Sequence, residues 1–119
     1  MQFTFHQTPT KKIAVILSQD IIFDNAEDAA ELLMNCLYQD SDSIILYEYN
    51  LPPAFFDLKT KLAGDILQKF STYNGRLAII GDFSKYESKS LKDFIYESNK
   101  QGRINFVSTM EEAQAVLSI

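Results

Sequence analysis

Ser43-Ile44-Ile45-Leu46-Tyr47-Glu48 and, further along, Arg76-Leu77-Ala78-Ile79-Ile80-Gly81 decide the fold. Each contains a short apolar run rich in β-branched residues, which is what a strand buried on both faces requires. Turn residues bound them: Asp40-Ser41-Asp42 precedes the first run, Leu51-Pro52-Pro53 follows it, and Gly81-Asp82-Phe83-Ser84 leaves the second. Between them Leu58, Leu62, Ile66 and Phe70 recur at helical spacing, with Gly75 placed to stop the helix. The spacing predicts one long helix after the prolines. Strand, helix and strand in that order require a right-handed crossover and parallel pairing.

The same alternation extends both ways. Toward the amino terminus, Phe3 and Phe5 alternate with polar neighbours, and Thr8 to Lys12 supplies a turn into the apolar run Ile13 to Leu17. Asp24 or Asn25 caps a helix to about Gln39, with Ala26, Ala29, Ala30, Leu33 and Leu37 inward. Toward the carboxyl terminus, Ser88 or Ser90 caps a helix whose stripe is Leu91, Phe94, Ile95 and Ser98, closed by Gln101-Gly102. Ile104 to Val107 reads as a last strand. Thr109 with Glu112 makes a capping box, opening a helix with Ala113, Val116 and Leu117 inward. The order is β-β-α-β-α-β-α-β-α: an α/β fold with a mixed, mostly parallel sheet packed with helices. Leu62, Ile66, Phe70, Leu91, Phe94 and Ile95 are its expected core.

At 119 residues, the expectation is one domain over 1–119. Apolar residues make up 46% and charged residues 23%, which removes the chain from the disordered class. No apolar run approaches the roughly 20 residues that span a bilayer, and no secretory signal opens the chain, so a cytoplasmic protein is expected. The net charge of −5 argues against holding a nucleic-acid backbone. The charge is uneven: nine acids against Lys11 and Lys12 up to Leu58 give −7, and seven acids against nine bases beyond it give +2. An acidic solvated helix face explains such asymmetry, as does a polarised surface that docks a partner. Cys36, the one cysteine, excludes an internal disulfide and reads as a small buried hydrophobe. His6, the one histidine, would have to serve any nucleophilic triad from an edge strand. Neither a metal-ligand cluster nor a glycine-rich phosphate loop is present, so no cofactor is expected.

In order and length the chain resembles the STAS domain, the fold of bacterial anti-sigma-factor antagonists. The stretch Arg76-Leu-Ala-Ile-Ile-Gly followed by Phe106-Val-Ser-Thr-Met-Glu-Glu-Ala-Gln-Ala-Val-Leu is similar to that family's closing half. Over nearly its whole length it resembles more specifically a bacterial family catalogued as domain of unknown function 4180. The strings that carry this are Phe55-Phe56-Asp57-Leu58-Lys59-Thr60, Gly81-Asp82-Phe83-Ser84-Lys85-Tyr86 and Asp93-Phe94-Ile95-Tyr96-Glu97-Ser98-Asn99. STAS antagonists carry a phosphoacceptor serine behind an aspartate at the start of the second helix. At the corresponding place Asp57 is followed by Leu58 and Lys59, so the resemblance leaves Thr60 as the candidate phosphoacceptor. Read from the residues alone, Asp57 is a helix cap and Thr60 a first-turn residue.

Pockets in α/β sheets form beyond the carboxyl ends of parallel strands, and two polar loops are sent there: Glu48 to Pro53 and Gly81 to Ser90. Asn50, Asp57, Lys59, Asp82, Ser84, Lys85, Ser88 and Lys89 are the candidate binding residues around one shared concavity. Mutual ion pairing and helix capping would also account for them. The expectation is a non-enzymatic regulatory or binding module for a protein partner or small ligand, with neither nucleic acid nor membrane. The alternative is a small enzyme using the carboxylates and lysines of these loops.

Overall fold

A computed structural model describes residues 3–119. Its elements are β1 (Phe3–Gln7), β2 (Lys12–Ile16), α1 (Ala26–Tyr38), β3 (Ser43–Tyr47), α2 (Leu62–Thr72), β4 (Arg76–Ile80), α3 (Lys89–Gln101), β5 (Ile104–Val107) and α4 (Met110–Leu117). The caps fall where the sequence puts them. The Asn25 side chain accepts from the Asp28 N–H, Ser88 from Leu91 and Thr109 from Glu112, satisfying donors that a helix start leaves unpaired.

The sheet order is β1-β2-β3-β4-β5, antiparallel at β1–β2 and parallel thereafter. Because each parallel strand lies beside its predecessor, every crossover steps in the same direction. One handedness then places α1, α2 and α3 on the same face. That face holds the larger core, where Ile44, Leu46, Leu77 and Ile79 meet Leu33, Cys36, Ile66 and Phe70. Alternate strand residues Ile13, Val15, Ile45, Ala78 and Ile80 face the other side, closed by Ala113 and Leu117 of α4. The outer edge of β5 is covered by a side chain: Asn99 Oδ1 accepts from the Phe106 N–H at 2.6 Å, and its Nδ2 donates to the Phe106 carbonyl at 3.2 Å. A strand edge with those groups bare would template pairing with another chain.

Four expectations are corrected. The long helix after the prolines is two 3₁₀ turns, Pro53–Phe56 and Leu58–Thr60, followed by Lys61 at φ 67° and only then α2. The Thr60 hydroxyl donates to the carbonyls of Ala54 (2.6 Å) and Asp57 (2.8 Å), acceptors that a continuous helix would use. A four-residue apolar spacing fits two turns folded on one core as well as it fits one helix. Phe94 and Ile95 are half-buried, because α3 caps the β5 end of the sheet instead of lying across it. Leu37 is 36% exposed, its place in the α1 stripe taken by Leu32 and Cys36. Asn74, at φ 56°, makes the left-handed stop after α2, while Gly75 is bare because the Leu33 methyls would lie 2.6–2.7 Å from a Cβ there.

Candidate functional site

The segments leaving β3 and β4 are brought together by the strand register, which sets Tyr47 opposite Ile80 and so the first loop residue, Glu48, beside Gly81. Asn50 fixes the first loop from below. Fully buried, it accepts from the Tyr47 N–H (2.9 Å) and donates to the carbonyls of Ser18 (2.9 Å) and Asp20 (2.8 Å); its own carbonyl accepts from the Ile22 N–H at 2.9 Å. One amide thus ties the loop after β3 to the loop after β2.

Above this clasp lies an open cleft of about 660 Å³. It is lined by Tyr47, Tyr49, Leu51, Pro53, Phe56 and Asp57 from the end of β3 and the chain after it, and by Gly81, Lys85 and Tyr86 from the loop after β4. Its rings come in near-parallel pairs, Tyr47 with Tyr49 at 5.1 Å and 3°, and Phe56 with Tyr86 at 4.9 Å and 11°. Glu48 is also part of the lining, and its side chain is 16% exposed. It accepts from the Tyr86 hydroxyl at 2.5 Å and pairs with Lys85 Nζ at 2.7 Å. Glu48 lies directly on Gly81: a Cβ there would come within 2.8 Å of the Glu48 Cβ and 2.7 Å of its Oε1. Burial, reinforced by the hydrogen bond to Glu48 and by its charge, pushes the Tyr86 phenol above its ordinary 10.0. The exposed Asp82 carboxyl is held below its ordinary 3.8, first by the Ser84 hydroxyl, then by the Ser84 N–H, with Lys85 adding a smaller attraction.

Of the eight candidate binding residues, Asp57 and Lys85 line the cleft. Asp57 also accepts from the Lys59 N–H at 3.1 Å. Asn50 lies beneath it with its amide fully used. Asp82 and Ser84 close a turn on each other, the hydroxyl donating at 2.6 Å, and neither forms part of the wall. Ser88 caps α3, Lys89 pairs with Asp93 one turn on at 2.9 Å, and Lys59 lies outside the lining. Thr60 lines a second, smaller cleft of about 550 Å³ with Asp24, Glu27, Asp65 and Lys69. Cys36 is buried at the core side of α1, which pushes its thiol up to about 11. Among the described residues no three of His, Cys, Asp and Glu are grouped to hold a metal ion, and no helix is long and apolar enough to cross a membrane.

The aromatic lining is not legible in the sequence: Tyr47, Tyr49, Phe56 and Tyr86 resemble ordinary core residues when only their spacing is visible. The signal was Tyr47-Glu48-Tyr49, two aromatics flanking an acid where a strand enters a loop.

Sheet, crossovers and cleft define a mixed α/β protein with sequentially ordered strands and an aromatic cleft at their carboxyl ends. Residues 8–117 match the family described as a domain of unknown function, DUF4180, and the chain belongs to that family. No curated protein matches it. Among solved structures, the chain is similar to a proposed anti-sigma factor antagonist from Thermotoga maritima, at 13% identity and a TM-score of 0.47, over 95% of this chain and 92% of that one.

Proposed function

We propose that the chain acts as one non-enzymatic binding module with a regulatory role, and that its ligand site is the cleft between the loops after β3 and β4. The observation that carries this reading is the construction of the cleft. Stacked rings line it, and its charged floor is held by packing on Gly81 and by the Tyr86 hydroxyl. Mostly apolar walls with a few fixed polar groups are the usual make-up of a small-ligand site, and 660 Å³ lies within the usual range of about 300–1,000 Å³. The other loop carboxylates argue for binding over chemistry. Asp82 is engaged by Ser84, and Asp57 accepts from the Lys59 N–H, so neither is set as an acid or base beside the other.

Amide-resolved NMR with a set of small aromatic fragments tests it. Shifts should concentrate on Glu48, Tyr49, Asp57, Gly81 and Tyr86, and Gly81→Ala should abolish them by lifting Glu48 from the floor while the sheet amides stay in place. Fragments that leave these amides unmoved in the wild-type protein would dismiss the cleft as the site.

A further inference from the structure

The geometry points to an organic ammonium ion on an aromatic body as the cleft's ligand, one that enters by displacing Lys85 from Glu48. This rests on reading the cleft as a ligand site.

The Glu48 carboxylate keeps its place without Lys85, since Gly81 lies against it and the Tyr86 hydroxyl donates to it. Tyr86 and Lys85 both meet Oε2, and among the described residues none donates to Oε1. Lys85 is attached differently. Its side chain is 57% exposed and it sits on a loop, with Nζ 2.7 Å from Oε2 and 5.4 Å from the centre of the Tyr86 ring. The chain therefore already places one ammonium against this carboxylate and ring face, a combination that attracts cations. A pair with so exposed a partner is weakly held, and so readily exchanged.

Charge complementarity fixes the sign. With Lys85 in place the lining carries Glu48 and Asp57 against one cation; once it swings out, two carboxylates remain and the lining has no positive charge. An anion is then repelled and a cation doubly attracted. The ring lining fixes the body: Tyr47, Tyr49, Phe56 and Tyr86 all border the cleft, and the Tyr86 ring lies under the ammonium that would leave, so a flat apolar group finds aromatic surface there. The cleft measures about 660 Å³ with Lys85 still in place, which leaves room for a ring beyond the ammonium.

The test titrates 2-phenylethylammonium, its neutral analogue 2-phenylethanol, the anion 3-phenylpropionate and an acetylated, amidated lysine. Each is followed by amide NMR at pH 7 and low salt, in wild type, Lys85→Ala and Glu48→Gln. The arylalkylammonium should move the Glu48, Gly81 and Tyr86 amides. Its affinity should rise at least threefold in Lys85→Ala, where the competing ammonium is gone, and fall at least tenfold in Glu48→Gln. The alcohol and the carboxylate should bind more weakly by a similar factor. The lysine derivative, standing for a partner's side chain, should bind more weakly than the aryl amine because its stem cannot stack. Unchanged or weaker binding in Lys85→Ala overturns displacement, and that variant's readout does not depend on whether Glu48→Gln folds. An alcohol that binds as tightly as the amine overturns the ammonium assignment and leaves the cleft as a site. A lysine derivative that binds more tightly overturns the aromatic body and makes a partner's side chain the source. If none of the four probes moves the cleft amides, the ammonium assignment and the cleft reading fall together.

Discussion

Replacing Asn50 by alanine should cost the protein about 3 kcal/mol. The side chain makes three hydrogen bonds, at 2.8–2.9 Å, from a fully buried position. Each contributes about 1 kcal/mol net, and a buried donor left without an acceptor costs about 1–3 kcal/mol. The Tyr47 N–H would be such a donor. The Ser18 and Asp20 carbonyls lie in a loop at the surface, where water can replace the amide, so their loss stays near the lower value. At about 2.1 cal/mol/K per residue, 119 residues give an unfolding entropy near 250 cal/mol/K, so 3 kcal/mol lowers the melting temperature by about 12 °C. Urea denaturation and calorimetry of wild type and Asn50→Ala give the number directly. Asn50→Asp sharpens the reasoning. A carboxylate still accepts from the Tyr47 N–H but turns oxygen toward two carbonyls, so it should be at least as damaging as alanine. Asn50→Ala within about 0.5 kcal/mol of wild type, or a well-tolerated Asn50→Asp, would refute the account of Asn50 as the clasp between the two loops.

Phe70→Ala, at a site with no exposure, should cost about 3–5 kcal/mol, whereas Phe94→Ala should cost visibly less because Phe94 is only half-buried; equal losses in denaturation would show that α3 is packed as deeply as α2. Asn99→Ala bares the edge of β5, and analytical ultracentrifugation should detect more self-association than in wild type, at matched concentration. Tyr86, with its phenol pKa raised in the folded state, contributes stability that is complete below the ordinary value of 10.0 and is lost as pH rises through the folded value. Ultraviolet titration should therefore find Tyr86 ionising late, and Glu48→Gln should bring it back only part of the way, because burial is the larger cause. For Asp82, whose folded value is depressed, the sign is opposite: its contribution is present above 3.8 and lost as pH falls through the folded value, and Ser84→Ala should raise the carboxyl pKa read by carbon NMR.

The strands and caps were legible because their signals are local. Ile44 to Leu46 and Leu77 to Ile80 are apolar without interruption, and only strands buried on both faces need that. Asn25, Ser88 and Thr109 act on donors three residues ahead, within reach of any sequence reading. The parallel pairing follows from the alternation of strand and helix, since a helix crossover returns the chain to run in the same direction. The break before α2 was not legible: Leu58, Leu62, Ile66 and Phe70 keep helical spacing through it, and the competing bond from Thr60 to Ala54 spans six residues. The cleft was legible in place but not in composition. Loops at the carboxyl ends of parallel strands can be located from the sequence, which found Lys85, and the helix start expected after the first loop found Asp57. Which residues face each other across that space depends on the register of Tyr47 with Ile80 and on the Asn50 bonds to Ser18 and Asp20, 32 and 30 residues away in the chain. Local pattern thus determined the elements and their order. Only tertiary structure decided that Glu48 would rest on Gly81 beside the Tyr86 hydroxyl and Lys85, because that position is set by contacts between segments whose sequences carry no mark of one another.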